Sequence, residues 1–348
     1  MASKSEVKMH SVRKLAQDAD FYMINEMCEK KENETLTIDV IIPTYRPDNK
    51  FDLLMKRLKK QTVQPRNIII LNTVPSSSEN EAGQQEQDEF MQKYRELNQA
   101  TIVHIKEEEF DHGGTRAYGA TLSNADLILY MTQDAVPVDE FLIEDIIKPF
   151  QNPKVGAAYA RQMALTNADE IESFTRNFNY PAESRLQTKS EIGTLGIKTF
   201  FCSNVCACYR KSYYDKLGGF VKKTIFNEDM IFASKLIQNN YAIAYVAEAR
   251  VFHSHHYNYR QQFRRNFDLG VSHAQYSEAF QGVKSEAEGM KLIKHTASHL
   301  IKRHSYLKVI DLFFNSAFKY AGYFVGCRYK KLSKKLVLKC TMNRNYWK

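Results

Sequence analysis

Apolar residues in this chain fall into short solid runs and spaced stripes, with polar residues between them. LTIDVIIPTYRP reads as a buried strand ended by a proline, FDLLMKRLKKQ as a helix with recurring Leu and Met, and RNIIILNT as a second buried strand. Strand, helix and strand make the repeating unit of a parallel sheet. TIVHIKE predicts a third strand, GGTRAYGATLSN a helix start, and DLILYMTQDA a fourth strand. Between them the polar VPSSSENEAGQQEQDEF is expected to be a loop or irregular entry into a helix through FMQKYRELNQ. These units together predict an α/β domain with a mostly parallel central sheet and helices on both faces.

The alternation fades after EDIIKPFQNPKVGAAYARQM, and residues 167–200 read as an excursion or packing loops. FFCSNVCACYRKSYYDKLGGF and NEDMIFASKLIQNNYAIAYVAEARVFH return to strand and helix, and beyond residue 260 the pattern is helical. Three parts are expected: a helical extension over 1–35, a main domain over 36–260, and a basic, aromatic helical region over 261–348.

Composition narrows this picture. A hydrophobic fraction of 43% and a charged fraction of 26% fit a folded domain, and six unevenly spaced cysteines predict free thiols rather than a zinc framework. The first twenty residues lack an apolar signal core and no run reaches a membrane-spanning length, so a cytoplasmic protein is expected, open to attachment at a membrane surface. From residue 291 onward 14 Lys and Arg face the single acid Asp311, a net +13 within a total of +9. That charge comes without a nucleic-acid-binding motif, and nucleic acid is not an expected partner.

Ligands of open α/β sheets bind beyond the C-terminal strand ends, where this reading places Thr44, Tyr45, Arg46, Asn72, Thr73 and Asp134. Asp134 suits either a divalent cation shared with phosphates or a turn cap. HGGTRAYG is either a helix entry or a phosphate cradle of backbone N–H groups assisted by Arg116; it is neither a P-loop nor GxGxxG. Glu228 and Asp229 begin a helix, favouring its dipole or accepting a proton. His253 and His255, two apart, share one side of a continuing strand, with metal, phosphate and solvent all open to them.

VIIPTYRP, FDHGGTRAYG, LILYMTQDA, GGFVKKTIFNEDMIFASKL and VFHSHHYNY together resemble the family 2 glycosyltransferases, in particular a bacterial rhamnosyltransferase-like branch, over about residues 36–260. The resemblance implies the GT-A nucleotide-diphospho-sugar transferase fold and inverting transfer of a sugar. The implied donor is a nucleoside diphosphate sugar such as dTDP-rhamnose, and the implied acceptor a growing glycan or lipid-linked glycan. It also implies Mg²⁺ or Mn²⁺ on Asp134 and His253, and Asp229 as base. Donor-binding positions are then Thr44, Tyr45, Arg46, Asn72, His112, Gly113, Gly114, Thr115, Arg116 and Gln133. Asn72 stands where many members have an acid, and TQDA replaces the commoner Asp-x-Asp. The readings set against it are a non-catalytic sugar-nucleotide-binding module and a nucleotidyltransferase; the latter calls for a basic Gly-rich segment that PTYRPDNK lacks. For the basic aromatic tail two readings stand side by side: docking on an anionic membrane surface, or packing of its aromatics against the main domain or a second copy of the chain.

Overall fold

The computed structural model describes residues 36–75, 81–98, 100–165, 168–255, 257–280 and 286–348. The extension expected over 1–35 lies outside them. Ile38–Lys348 forms one compact unit, so the C-terminal helices pack within the same body as the sheet.

Nine strands form one sheet: β1 (Ile38–Tyr45), β2 (Asn67–Val74), β3 (Thr101–Lys106), β4 (Leu127–Met131), β5 (Val136–Pro137), β6 (Val155–Met163), β7 (Arg185–Gln187), β8 (Cys206–Arg210) and β9 (Ala242–Phe252). Their order is β3-β2-β1-β4-β8-β6-β9-β5, with β7 also on β9. Strands β1–β4, β6 and β9 run one way; β5, β7 and β8 run the other. β4 is buried along its whole length and β1 along most of it, as expected for strands covered on both faces. The chain leaves β1 for β2 and β3 and then returns to β4 on the opposite side. That reversal opens a crevice beyond the C-terminal ends of β1 and β4.

The helices are α1 (Asn49–Leu58), α2 (Glu81–Asn98), α3 (His112–Thr121), α4 (Leu142–Ile147), α5 (Glu170–Asn179), α6 (Ile192–Leu195), α7 (Lys211–Lys216), α8 (Glu228–Gln238), α9 (Tyr259–Gln275), α10 (Glu286–Lys302), α11 (Tyr306–Gly326) and α12 (Lys334–Cys340). In α1, Phe51, Leu54, Met55 and Leu58 are buried as the spacing predicts, and the Asp48 carboxylate accepts from the Lys50 N–H to cap the start. Helix α2 begins well before FMQKYRELNQ. Its polar first turns have no apolar stripe to announce them and carry Gln84–Asp88 and Gln85–Glu89 bonds one turn apart. Residues 168–200 hold α5, β7 and short helical turns rather than plain packing loops. The five cysteines within the described residues are free, three of them buried.

Helices α9 and α11 pack at backbone distance. A Cβ added to Gly322 would stand 2.2 Å from the Phe263 carbonyl oxygen, and one on Gly326 2.1 Å from that of Phe267. These two glycines, one turn apart, fix which face of α11 turns inward. Asp268 in α9 then ties down the chain end, accepting from Thr341 Oγ1 at 2.6 Å and from the Met342 N–H at 2.9 Å. Gly322→Ala is therefore expected to lower unfolding stability by about 1–3 kcal/mol through overpacking. Gly289→Ala, in an open stretch of α10 with nothing within 4 Å, should be neutral or stabilising by up to about 1 kcal/mol. Denaturant titration of both variants measures the contrast; equal midpoints would contradict the close packing.

Candidate active site

At the end of β1, Thr44 lies opposite Asn72 of β2, which lies opposite His104 of β3. Thr44 Oγ1 donates to Asn72 Oδ1 at 3.0 Å, and Asn72 Nδ2 meets His104 Nδ1 at 3.1 Å. Burial pushes His104 below the ordinary histidine pKa, so its ring nitrogen accepts from the amide. Thr44 and Asn72 are buried, whereas Tyr45 is 40% exposed with the Arg46 guanidinium 5.2 Å from its ring centroid. Arg46 has φ +46°, a left-handed conformation that a non-glycine residue adopts at a cost.

Gln133 gives TQDA a structural meaning. Its Oε1 accepts from the Tyr45 N–H at 2.7 Å and its Nε2 donates to the Tyr45 carbonyl at 3.1 Å. The amide thus clips the end of β1 to the segment after β4, a reciprocal pair that a carboxylate could make only by half. Asp134 follows directly and turns toward two histidines carried past the end of β9.

The Oδ2 of Asp134 lies 3.6 Å from His253 Nε2 and 3.4 Å from His255 Nε2. The donor atoms of all three residues fall within 4.8 Å of one another. His253 is buried, its pKa driven well below normal by burial, with the neighbouring His255 adding to the effect; His255 is lowered too, mainly by burial. Both rings are therefore unprotonated near neutral pH. His253 Nδ1 lies 3.2 Å from Gln162 Oε1 and 3.4 Å from Arg176 Nη2; in the tautomer that donates to Gln162, the Nε2 lone pair faces Asp134. Gln162 is held in turn by Ser203 and Arg176. Three lone-pair donors converging on one point fit a divalent cation. His255 had only its two-residue spacing from His253 to announce it; Gln162 and Arg176 are distant in sequence and carried no signal.

HGGTR opens α3. The Asp111 carboxylate caps that helix, accepting from the Gly113 and Gly114 N–H groups at 2.8 Å each. Those two donors are therefore spent inside the helix start and do not form the phosphate cradle the sequence suggested. The glycines serve a close approach instead: a Cβ on Gly113 would fall 1.9 Å from the Val221 carbonyl oxygen, and one on Gly114 2.8 Å from that of Lys222. Loop 221–224, which leads to α8, lies directly against them. Arg116 is likewise committed. Its Nη1 contacts Glu228 Oε1 at 3.0 Å, both side chains are less than a tenth exposed, and it also donates to the His112 carbonyl. Tyr130 Oη on β4 donates to the Arg116 carbonyl at 2.8 Å, and Thr115 is buried beside it.

Glu228 and Asp229 begin α8 after Asn227, which holds a left-handed φ of +67°. Asn204 orients both acids: its N–H donates to Asp229 Oδ2 at 2.9 Å and its Nδ2 to Glu228 Oε1 at 3.0 Å. Asp229 Oδ1 accepts from the Met230 N–H at 2.8 Å. Burial pushes Glu228 upward, but Arg116 and the other partners more than offset this and its pKa is lowered. Asp229 goes the other way: burial first and the Glu228 charge second raise it to about 7, although the residue keeps some solvent access. Two adjacent carboxyls are thereby split into a salt-bridged anion and a group poised to take up a proton near neutral pH. His112, lowered to about 4 chiefly by burial, is neutral beside them.

Arg265 of α9 is a further cation that the sequence reading missed. Its guanidinium sits 4.7 Å from the Phe226 ring and 6.0 Å from Tyr257, which stacks on His255 at 5.2 Å. Its charge helps to depress His112, His253 and His255.

The mostly parallel sheet with its crevice at β1/β4 has the GT-A fold of nucleotide-sugar transferases. Residues 39–218 match the family model described as glycosyl transferase family 2, and the chain belongs to that family. It is a glycosyltransferase. The chain is 35% identical over 317 residues to the O-antigen chain rhamnosyltransferase RfbN of Salmonella typhimurium, covering 90% of this chain and 96% of that one. It is 34% identical over 313 residues to the O-antigen chain rhamnosyltransferase WbaN of Salmonella anatum, covering 88% and 95%. Among solved structures, the mannosyltransferase PcManGT of Pyrobaculum calidifontis, in complex with GDP-Man and Mn²⁺, shares the fold at TM-score 0.55 and 12% identity, over 90% of this chain and 95% of that one.

If the Arg116–Glu228 pair joins α3 to α8, Glu228→Ala should destabilise the protein by about 3–5 kcal/mol, because it strands a buried guanidinium. Arg116→Ala with Glu228→Ala should cost clearly less than the two single changes added together. Urea unfolding of the three variants gives the coupling; strict additivity would remove the pair from this role.

Proposed function

We propose that this chain transfers rhamnose from dTDP-rhamnose to a growing O-antigen-type glycan on a lipid carrier, with inversion at the anomeric carbon. The similarity over nearly the whole length of two O-antigen chain rhamnosyltransferases is the observation that carries the sugar and the acceptor class. The site supports the chemistry. Asn72 keeps one acceptor and one donor position beyond its bonds to Thr44 and His104, which suits the imide edge of a pyrimidine such as thymine, and the exposed ring of Tyr45 offers a stacking face.

The acceptor hydroxyl is a weak nucleophile, and Asp229 takes its proton as the oxygen attacks the anomeric carbon opposite the diphosphate. The bond from that carbon to the diphosphate oxygen breaks, its electron pair leaves with dTDP, and one direct displacement inverts the centre. A single carboxylate suffices because the leaving group needs no proton, unlike glycoside hydrolysis. Asp134, His253 and His255 would hold a divalent cation, which would supply charge compensation to the departing diphosphate, and two imidazoles among the ligands suit Mn²⁺ better than Mg²⁺. With Arg116 committed to Glu228, Arg265 is the guanidinium that faces the same region from α9.

The test measures nucleoside diphosphate release and glycan product with dTDP-rhamnose and with UDP-sugars, using Mn²⁺ or a chelator. Turnover is expected with dTDP-rhamnose and Mn²⁺ and is lost on chelation. Asp229→Asn should lower kcat at least about a hundredfold while donor affinity stays within about tenfold. A strong UDP-sugar preference would overturn the donor. An unchanged rate in Asp229→Asn would remove the base, and no turnover with any donor would return the non-catalytic binding module.

A further inference from the structure

Helix α11 turns its glycine face onto α9 and leaves the other face uncovered. Leu307 is 83% exposed, Phe313 67%, Tyr320 61%, Ile310 54%, Phe314 47% and Phe324 44%. Spacings of three, four and seven between them draw one apolar stripe along a 21-residue helix, about 30 Å long. The inward glycines at 322 and 326 fix the roll of the helix, so the stripe cannot turn into the core. No helix among the described residues is long and apolar enough to cross a membrane, and a stripe of this kind lies along a surface.

The surrounding charge identifies that surface. Lys302 precedes the helix, and Arg328, Lys330, Lys331, Lys334 and Lys335 follow it, all exposed. Arg303 and Lys308 are paired with Glu170. The segment's single acid, Asp311, accepts from Tyr259 Oη and is outnumbered by these cations. A second copy of the chain seated on this stripe would bring two strongly basic segments together. Anionic headgroups with apolar chains beneath them complement both features at once.

We infer that the outward face of α11, with the cations at its ends, docks the protein on an anionic lipid bilayer. The docking face adjoins the catalytic site. Tyr259 stacks on Phe318 of α11 at 5.4 Å and opens α9 just after the His253–His255 segment. On the other side, Lys308 holds Glu170 at the start of α5, whose Arg176 reaches Gln162 and His253. Docking there sets the donor site beside the surface that carries a lipid-linked acceptor. That consequence rests on the proposed function; the docking itself does not.

The experiment is co-sedimentation of the full chain, without donor, on vesicles of phosphatidylcholine alone and of phosphatidylcholine mixed with phosphatidylglycerol. Salt-sensitive binding to the anionic vesicles is expected. Leu307→Glu with Phe313→Glu, both exposed and so compatible with folding, should weaken it at least about tenfold, with thermal unfolding and donor turnover on a soluble acceptor unchanged. Lys330→Glu with Lys331→Glu should weaken it without touching the stripe. Equal recovery in the supernatant with both vesicle types overturns the inference, as does undiminished binding by the Leu307→Glu/Phe313→Glu variant. A dimer seen by light scattering and lost in that variant would assign the face to a second copy instead. Because turnover is read separately, failure of docking and failure of the catalytic reading are told apart.

Discussion

Arg116 and Glu228 meet at 3.0 Å with almost no water on either side chain, and the geometry of the site follows from that contact. The arginine sits on α3 and the glutamate opens α8, so one ion pair joins two helices that the sequence separates by more than a hundred residues. Gly113 and Gly114 let loop 221–224 come close enough for the pair to form. Removing two charges from water costs several kcal/mol each, and hydrogen bonds from Asn204 to Glu228 and from Arg116 to the His112 carbonyl offset part of that cost. The return is positional and electrostatic. Asp229, the next residue, is fixed by two backbone N–H groups and feels a permanent negative neighbour.

The proposed cation site has a similar logic of outer support. Gln133 fixes the approach to Asp134 by holding both backbone groups of Tyr45, and Gln162 and Arg176 hold the Nδ1 side of His253. Thr132 stands at the first acid position of Asp-x-Asp, and the residue between it and Asp134 is the clamp. Three donors remain, contributed by the ends of β4 and β9, which are brought together by strands lying between them in the sheet.

Much of this was legible in the sequence because local pattern dictated it. VIIPTY and LILYM are too continuously apolar to be anything but covered strands, and strand-end chemistry placed Thr44, Asn72 and Asp134 correctly at the crevice. Side-chain parity put His253 and His255 on one side even though the strand ends at Phe252. What stayed hidden was non-local. Asp111 reads as an ordinary acid until its carboxylate is seen capping Gly113 and Gly114, and that cap is why the glycine N–H groups are not a phosphate cradle. The partners of Arg116, His253 and Asp229 lie far along the chain, where spacing carries no information. The early start of α2 was missed because its first turns are held by polar side chains rather than by an apolar stripe.

The central claim is that Glu228 stays ionised against Arg116 while keeping Asp229, the proposed base, protonatable near neutral pH. The pH dependence of kcat/KM for sugar transfer tests it most directly, since that profile reports groups of the free enzyme. Asp229 must be ionised to accept the proton and its pKa is raised to about 7, so the rate should climb with pH below that value and level off above it. Glu228→Gln removes the neighbouring negative charge and should move the acid limb to lower pH. A wild-type profile flat through neutrality, or a limb that stays in place in Glu228→Gln, would contradict the account.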